Sequence, residues 1–305
     1  MITIGTDCSG IDAPIQALLQ LGIPFRHRFS CEKDPYCIET LRANYQLERL
    51  DTDITTRDPR SLPHVDLYVC GFPCQPFSYA GKRQGVEDDK GRGHLFWYCL
   101  DVIRYTKPTC VLLENVKGLL TIDDGDTFET IQHELRKLSY HVEWKILNTK
   151  EYGIPQQRER LYIVAIRSTV LKKGYTFTWP EPIPMNKLTD YIDHTDTESQ
   201  PIPDFIKRAK TLRYIPKESC FIDIGFTQST FPKSDRLCPC ITTQGNTWCV
   251  PYQRKATCRE CLALQGFPID FKQVVSDRQF KKQIGNSMSV NVLEQLFTAL
   301  LPLLS

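Results

Sequence analysis

The chain has 305 residues, 41% of them apolar and 24% charged, and at about 150 residues per domain this predicts roughly two domains with a real core rather than a disordered polymer. Its 38 Lys and Arg offset 36 Asp and Glu to leave +2, so global charge selects no partner and any nucleic-acid surface must be a local patch. No run approaches the ~18 unbroken apolar residues of a membrane helix, and the opening MITIGTDCSG lacks a basic segment followed by an apolar one. An intracellular protein with no membrane partner is expected, in the cytoplasm if prokaryotic and with nuclear or viral DNA otherwise.

The first 167 residues alternate short β-branched runs with amphipathic patterns, the signature of repeated strand-helix units that build a parallel sheet. Ile2 to Thr6 reads as a strand, and Ile15, Leu18 and Leu19 then share one face at helical spacing before Gly22 and Pro24 stop the helix. Arg26 to Cys31 is the second strand, Pro35 to Asn44 a helix opened by proline, and Asp66 to Cys70 a further strand. Cys110 to Leu113 is a strand ending at Glu114. Phe128, Ile131, Leu135 and Leu138 mark a helix, and His141 to Asn148 and Leu161 to Ile166 are the next strands. From about Gly174 the texture changes, with Pro180, Pro182, Pro184, Pro201, Pro203 and Pro216 and an acidic stretch from Asp190 to Glu198. The spans expected are a catalytic and cofactor-binding domain over 1–174, a small domain of irregular strands and loops over 175–280, and a C-terminal segment over 281–305. In that segment Val290, Leu293, Leu296, Phe297, Leu300 and Leu301 form a stripe that docks back on the first domain.

Ligands of open α/β sheets sit beyond the carboxyl ends of the strands, so the loops after each strand form one list. After the first strand come Cys8, Ser9, Gly10, Ile11 and Asp12. After the second comes Glu32, near the ~20-residue separation expected of an acid that holds ribose hydroxyls, and Asp53 and Ile54 follow a third segment. A loop with one glycine near its tip and two carboxylates, Asp7 and Asp12, would repel a pyrophosphate and suits a cationic nucleoside such as S-adenosyl-L-methionine. The alternative is that both acids cap a helix and Glu32 is solvated.

Gly71-Phe72-Pro73-Cys74-Gln75-Pro76-Phe77-Ser78 follows a strand directly, and the two prolines fix the backbone so that the Cys74 thiol is held for attack. Behind it, Tyr79 to Gly93 is rich in glycine and basic residues, a mobile cationic lid able to close over an anionic polymer. Glu114-Asn115-Val116 ends the next strand and should sit beside Cys74. Gln156-Gln157-Arg158-Glu159-Arg160 precedes another, with two arginines on alternate residues pointing the same way. Singly, each of these residues also reads as buried filler or surface ion pair. What joins them is their common position at strand ends.

Thirteen cysteines without a secretion signal argue for reduced thiols. Cys238, Cys240, Cys258 and Cys261 have spacings compatible with zinc; buried apolar thiols account for them equally well.

These motifs resemble those of the DNA cytosine methyltransferases that modify carbon 5 of the base. The resemblance spans nearly the whole chain and rests on the Cys74, Glu114 and Arg158–Arg160 segments, on Arg259-Glu260-Cys261-Leu262-Ala263-Leu264-Gln265-Gly266-Phe267-Pro268, and on Gln283-Ile284-Gly285-Asn286-Ser287-Met288-Ser289-Val290, all in the family's order. It implies a Rossmann-like S-adenosylmethionine-dependent methyltransferase sheet of α/β class with a smaller, irregular, mostly β second domain. It implies methyl transfer to cytosine in double-stranded DNA through a covalent Cys74 adduct on a flipped-out base, assisted by Glu114 at ring nitrogen 3 and by Arg158 and Arg160 at the base oxygen and phosphate. Cofactor contacts carried over are Cys8, Ser9, Gly10, Ile11, Glu32, Asp53, Ile54, Pro73, Leu95, Asn286 and Ser287, with no metal. Cys261 falls on a family motif, which favours a structural thiol there. A monomer paired with a cognate restriction enzyme is the expected setting, and target recognition falls between about 175 and 255, including Phe226 to Thr230 and Thr242 to Asn246. The chain departs from the family at Cys8, where phenylalanine is usual, and at Asp12-Ala13, where two glycines are usual. Two rivals remain. One is a tRNA methyltransferase of the same fold, although the cysteine-phenylalanine-threonine run of that branch is broken at Ile222. The other is a silent regulatory binder, although Cys74, Glu114 and both arginines are present.

Overall fold

A computed structural model describes residues 1–73, 95–172, 174–202, 204, 220–225 and 236–304. Cys74, the basic loop from Ser78 to Gly93 and the segment Phe226 to Thr230 lie outside the described residues. In chain order the elements are β1 (Ile2–Asp7), α1 (Ala13–Gln20), β2 (Phe25–Cys31), α2 (Pro35–Asn44), β3 (Leu50–Asp51), β4 (Leu67–Cys70), α3 (Leu95–Thr106), β5 (Cys110–Val116), α4 (Asp126–Lys137), β6 (Tyr140–Asn148), β7 (Glu159–Arg167), β8 (Phe221–Asp223), β9 (Thr247–Cys249), β10 (Arg254–Lys255), α5 (Cys258–Leu264), α6 (Asp277–Asn286) and α7 (Val290–Leu304). The large sheet runs β3-β2-β1-β4-β5-β7-β6, and β10-β9-β8 form a small antiparallel sheet.

The central strands are continuous apolar runs because both faces of the sheet are covered. Alternate residues of β4 make this explicit: Leu67 and Val69 join Ile4, Leu112 and the α1 and α7 side chains on one face, while Tyr68 and Cys70 join Phe29, Leu113 and the α3 and α4 side chains on the other. Val290, Leu293, Leu296, Phe297 and Leu300 are fully buried, each worth roughly 1.5–3 kcal/mol, whereas Leu301 of the same predicted stripe is only half-buried at its margin. The stretch Asp277–Leu304 has the length and apolarity of a membrane-crossing helix, unlike the expectation from sequence. It is interrupted between α6 and α7, and its apolar face is spent on the core.

Two expectations need correction. Leu19 is half exposed rather than on the buried face with Ile15 and Leu18, because eight residues of helix give only a narrow seam against α7. The sheet is not wholly parallel: β7 runs antiparallel to both β5 and β6. This reversal matters to the site. A segment that precedes a parallel strand lies at the opposite edge from the loops that follow its neighbours, whereas antiparallel pairing sets Arg160 opposite Val116 and Tyr162 opposite Glu114. Residues just before β7 thereby meet the carboxyl end of β5.

Candidate active site at the carboxyl edge of the sheet

The first half of the site is the loop from β1 to α1. Cys8, Gly10 and Asp12 all have left-handed backbone, with φ of 51°, 57° and 56°, which folds the loop tightly under the end of β2. The Gly10 N–H donates to Glu32 Oε2 at 2.7 Å and the Asp34 N–H to Glu32 Oε1 at 2.8 Å, so each carboxylate oxygen is fixed by main chain. Burial pushes the Glu32 carboxyl up, against the pull of those donors. Ser9 donates from its N–H to the Cys31 carbonyl at 3.2 Å and shares a 2.9 Å hydrogen bond with the Thr6 hydroxyl. Cys8 is half-buried and hydrogen-bonds Cys70, whose sulfur lies 3.3 Å from that of Cys99.

Asp7 and Asp12 belong beneath this loop rather than in it. Asp7 is fully buried and forms a bidentate pair with Arg57, Nη1 to Oδ1 at 2.9 Å and Nη2 to Oδ2 at 2.7 Å, with the Tyr68 hydroxyl donating to Oδ2 at 2.7 Å. Arg57 also sits 5.4 Å over the Phe29 ring. Asp12 precedes α1 but caps nothing with its side chain. Its Oδ2 accepts from Ser30 at 2.8 Å and Thr6 at 3.1 Å, while Oδ1 is buried without a partner. Burial raises Asp12 to about 7 and lowers its 3.5 Å neighbour His27 to about 4, so between those values the two face each other as neutral groups.

Of the remaining predicted contacts, Asp53 is tied to Lys33 at 2.8 Å and to Thr55, and the lysine holds it down to about 2. Ile54 is buried and Leu95 half-buried, whereas Pro73 and Asn286 are exposed. Ile11 is wholly inside the core, so only its backbone can reach a ligand. Ser287 is buried, and its carbonyl accepts from Arg158 Nη2 at 2.6 Å. The donor set, one anchored carboxylate, small residues and an open left-handed Gly10 with no basic side chain from Thr6 to Asp12, fits S-adenosylmethionine better than a phosphate ester.

The second half lies one strand away. Glu114 is nearly buried, and its Oε1 meets Arg160 Nε at 3.2 Å. Burial pushes its carboxyl up against the charges of Arg160 and Arg158. Asn115 donates through Nδ2 to the Phe72 carbonyl at 2.8 Å, pinning the chain two residues before Cys74. A Cβ built on Gly71 would lie 2.9 Å from Met288 Cε and 3.6 Å from Glu114 Oε2, so the loop after β4, the acid on β5 and the C-terminal segment converge. A side chain at 71 would have to displace the Met288 methyl group.

The two arginines diverge in duty. Arg160 is partly open and faces Glu114, with Nη1 donating to the Glu159 carbonyl at 2.8 Å. Arg158 is buried and spends its fork on the protein: Nη1 donates to the Ile241 carbonyl at 3.0 Å, and Nη2 to the carbonyls of Gly285 at 3.2 Å and Ser287 at 2.6 Å. It pins the segment before the small sheet's β9 and the end of α6 to the large sheet. Gln156 and Gln265, both fully buried, complete that seam: Gln156 donates to the Leu264 carbonyl at 2.7 Å and Gln265 to that of Ile284 at 2.8 Å. Arg57 carried no sequence signal, because its partners Asp7 and Asp51 lie 50 and 6 residues away and no local pattern encodes such pairs; Gln265 was read only as part of a motif and Cys240 only as a spaced thiol. Among the described residues, no group of three or more His, Cys, Asp or Glu is arranged to hold a metal ion.

The family model described as C-5 cytosine-specific DNA methylase matches residues 7–301. The chain is 37% identical over 276 residues to "Type II methyltransferase M.NgoBI" of Neisseria gonorrhoeae, covering 87% of this chain and 83% of that protein. It is 36% identical over 274 residues to "Type II methyltransferase M.HaeII" of Haemophilus aegyptius, covering 88% and 83%. Among solved structures, the S. pombe Dnmt2 methyltransferase superposes with a TM-score of 0.74 at 21% identity, covering 99% of each chain, a likeness of fold.

Proposed function

The chain belongs to the C-5 cytosine-specific DNA methylase family, and from that premise we propose that it transfers a methyl group from S-adenosylmethionine to carbon 5 of cytosine in double-stranded DNA, as the modification partner of a restriction enzyme in a prokaryotic cytoplasm. The observation that carries this reading is the Glu114–Arg160 pair at 3.2 Å beside Gly71 and Phe72, three and two residues ahead of Cys74.

Carbon 5 of cytosine is a poor nucleophile. Addition of the Cys74 thiolate to carbon 6 converts the ring to an enamine that is a good one. A carboxyl raised by burial is suited to remain protonated and give a hydrogen bond or proton to ring nitrogen 3, which is the task assigned to Glu114. Arg160, held against Glu114, offers its open edge to the base oxygen, and Arg158 supports it from behind. S-Adenosylmethionine, when bound, supplies an electrophilic methyl group on a sulfonium. Glu32 would hold its ribose, with Cys8, Ser9 and Gly10 lining one side and Asp53, Ile54, Pro73, Leu95, Asn286 and Ser287 closing the others. Loss of the carbon 5 proton and departure of the Cys74 sulfur restore the aromatic ring. A base stacked in a duplex cannot be reached in this way, so the target is flipped out at a cost of a few kcal/mol. We assign catalysis to 1–174 with 281–305, and target reading to 175–280.

DNA carrying 5-fluorocytosine tests the chemistry, since a carbon–fluorine bond cannot lose a proton and the adduct persists. The expected result is a covalent complex that needs cofactor and disappears in Cys74→Ser; a complex that survives the substitution refutes the assignment. Methyl transfer to duplex DNA compared with purified tRNA separates the DNA reading from its RNA rival, and bisulfite sequencing of DNA from expressing cells reports the target site.

A further inference from the structure

Ten of the twelve described cysteines are buried, and the two that are not, Cys8 and Cys240, stand at opposite halves of the site. Cys240 reaches the base half through a short parallel bridge between Gln156 and Cys238, in which the Cys238 N–H donates to the Pro155 carbonyl at 2.7 Å and the Gln157 N–H to that of Cys238 at 2.8 Å. The Ile241 N–H then donates to the Gln156 side-chain Oε1 at 3.0 Å, so hydrogen bonds on both sides fix the cysteine between them. Its sulfur accepts from Arg158 Nη1 at 3.4 Å and from Arg160 Nη2 at 3.9 Å, and donates to the Ile241 carbonyl at 3.7 Å.

This completes the hold on Arg160. Its Nε is on Glu114, its Nη1 on the Glu159 carbonyl, and its Nη2 on Cys240. A guanidinium fixed at all three nitrogens cannot turn about the Nε contact, and its plane is set before any base arrives. Sulfur is a weak acceptor, so a contact of this length holds the fork while yielding readily to an incoming oxygen. Residue 240 belongs to the segment that leads into β9, whereas Arg160 and Glu114 belong to the large sheet.

We infer that Cys240 is a positioning residue, whose sulfur fixes the plane of the Arg160 guanidinium against Glu114 and so links the segment entering the small sheet to the base half of the site. The inference rests on the proposed function for its kinetic readout but not for its structural one.

The experiment uses the full chain with Cys240→Ala and Cys240→Ser. Alanine removes the acceptor, and serine restores one of similar size. For alanine, kcat should fall about tenfold, as expected for a catalytic group left loose, with unchanged KM for DNA, cofactor affinity and melting temperature. Serine should stay within about twofold of wild type. A second readout needs no turnover: the Glu114 carboxyl carbon, titrated by 13C NMR, should shift its midpoint upward in alanine and not in serine, because a loosened Arg160 stabilises the carboxylate less. Wild-type kcat with an unmoved Glu114 midpoint in alanine overturns the inference. So does a loss in both variants that tracks melting temperature or cofactor affinity, which is the mark of packing. If the wild type methylates no DNA, the proposed function fails while the Glu114 titration still decides the role of Cys240.

Discussion

Asp12→Asn isolates the most unusual group under the loop between β1 and α1. The wild-type carboxyl is fully buried, with one oxygen unpaired and the other served only by neutral hydroxyls, and its ordinary value of 3.8 rises to about 7. The groups facing it do not offset an ionised form: His27 is itself held neutral by burial, Tyr45 is pushed up by burial, and Glu32 and Asp7 are acids. A raised folded-state value means that the native protein holds a proton which the unfolded chain has released. The contribution to stability is therefore fully present below about 3.8, declines as pH rises, and is exhausted once pH passes about 7. Between pH 5 and pH 7 that is about two units, or roughly 2–3 kcal/mol at 1.36 kcal/mol per unit. Asparagine has the shape of the neutral form and no such dependence. In urea melts, the stability of Asp12→Asn relative to wild type should rise by about 2 kcal/mol from pH 5 to pH 8 and then level off, since other titrating groups cancel in the difference. A difference that is flat across this range would refute the placement of Asp12 as a buried, unpaired carboxyl.

Three further perturbations probe the rest of the site. Glu114→Gln should slow methyl transfer by about 10²-fold or more, the contribution of a positioned acid, while calorimetry shows cofactor affinity unchanged; equal loss of binding would place Glu114 in the cofactor half. Arg57→Ala leaves the buried Asp7 carboxylate without its bidentate partner, and chemical denaturation should show a loss of about 3–5 kcal/mol. Gly285→Ala drives a methyl group to within 2.4 Å of the Thr242 carbonyl carbon, backbone that cannot swing aside, so a loss of about 1–3 kcal/mol and a fall in turnover should appear together.

The half of the site around the β1–α1 loop was the more legible in sequence, because what builds it is local or regularly spaced. Pro35 to Asn44 was bounded correctly as a helix since proline opens it and Asp34 caps it. Glu32 was placed beside the first loop, where its carboxylate accepts from the Gly10 N–H, because an acid ending the second strand has a fixed relation to that loop. The base half was legible as motifs but not as geometry. Glu114 was placed at a strand end, whereas β5 runs on to Val116 and the acid is kept in line by pairing opposite Tyr162. Arg158 and Arg160 were read as one clamp, since alternate residues share a face; burial then separates them, and nothing in a two-residue spacing says how deep each will lie. Asp12 invited a helix-cap reading from residue type alone, yet its left-handed backbone turns the carboxylate inward to Thr6 and Ser30.

The two halves are also held by different forces, and this sets how each responds to the rest of the chain. Glu32 is fixed by main-chain donors within 22 residues of it, so its carboxylate is set once β1 and β2 pair. The Glu114–Arg160 pair instead depends on three distant segments meeting: 238–241 along 155–158, 285–288 against Gly71, and Arg158 bonding both. Arg158 is the member whose loss would be felt by all of them, because its removal takes the guanidinium donor from three buried carbonyls at once and leaves those of Ile241 and Ser287 only long contacts from Cys240 and Gln265. A residue read in sequence as touching the substrate thus sits in the structure as the tie that holds the segments 238–241 and 285–287 to one edge of the large sheet. Its buried, unpaired Nε is consistent with that duty, since a fork committed on both terminal nitrogens to carbonyls from separate segments cannot also be turned to satisfy the third.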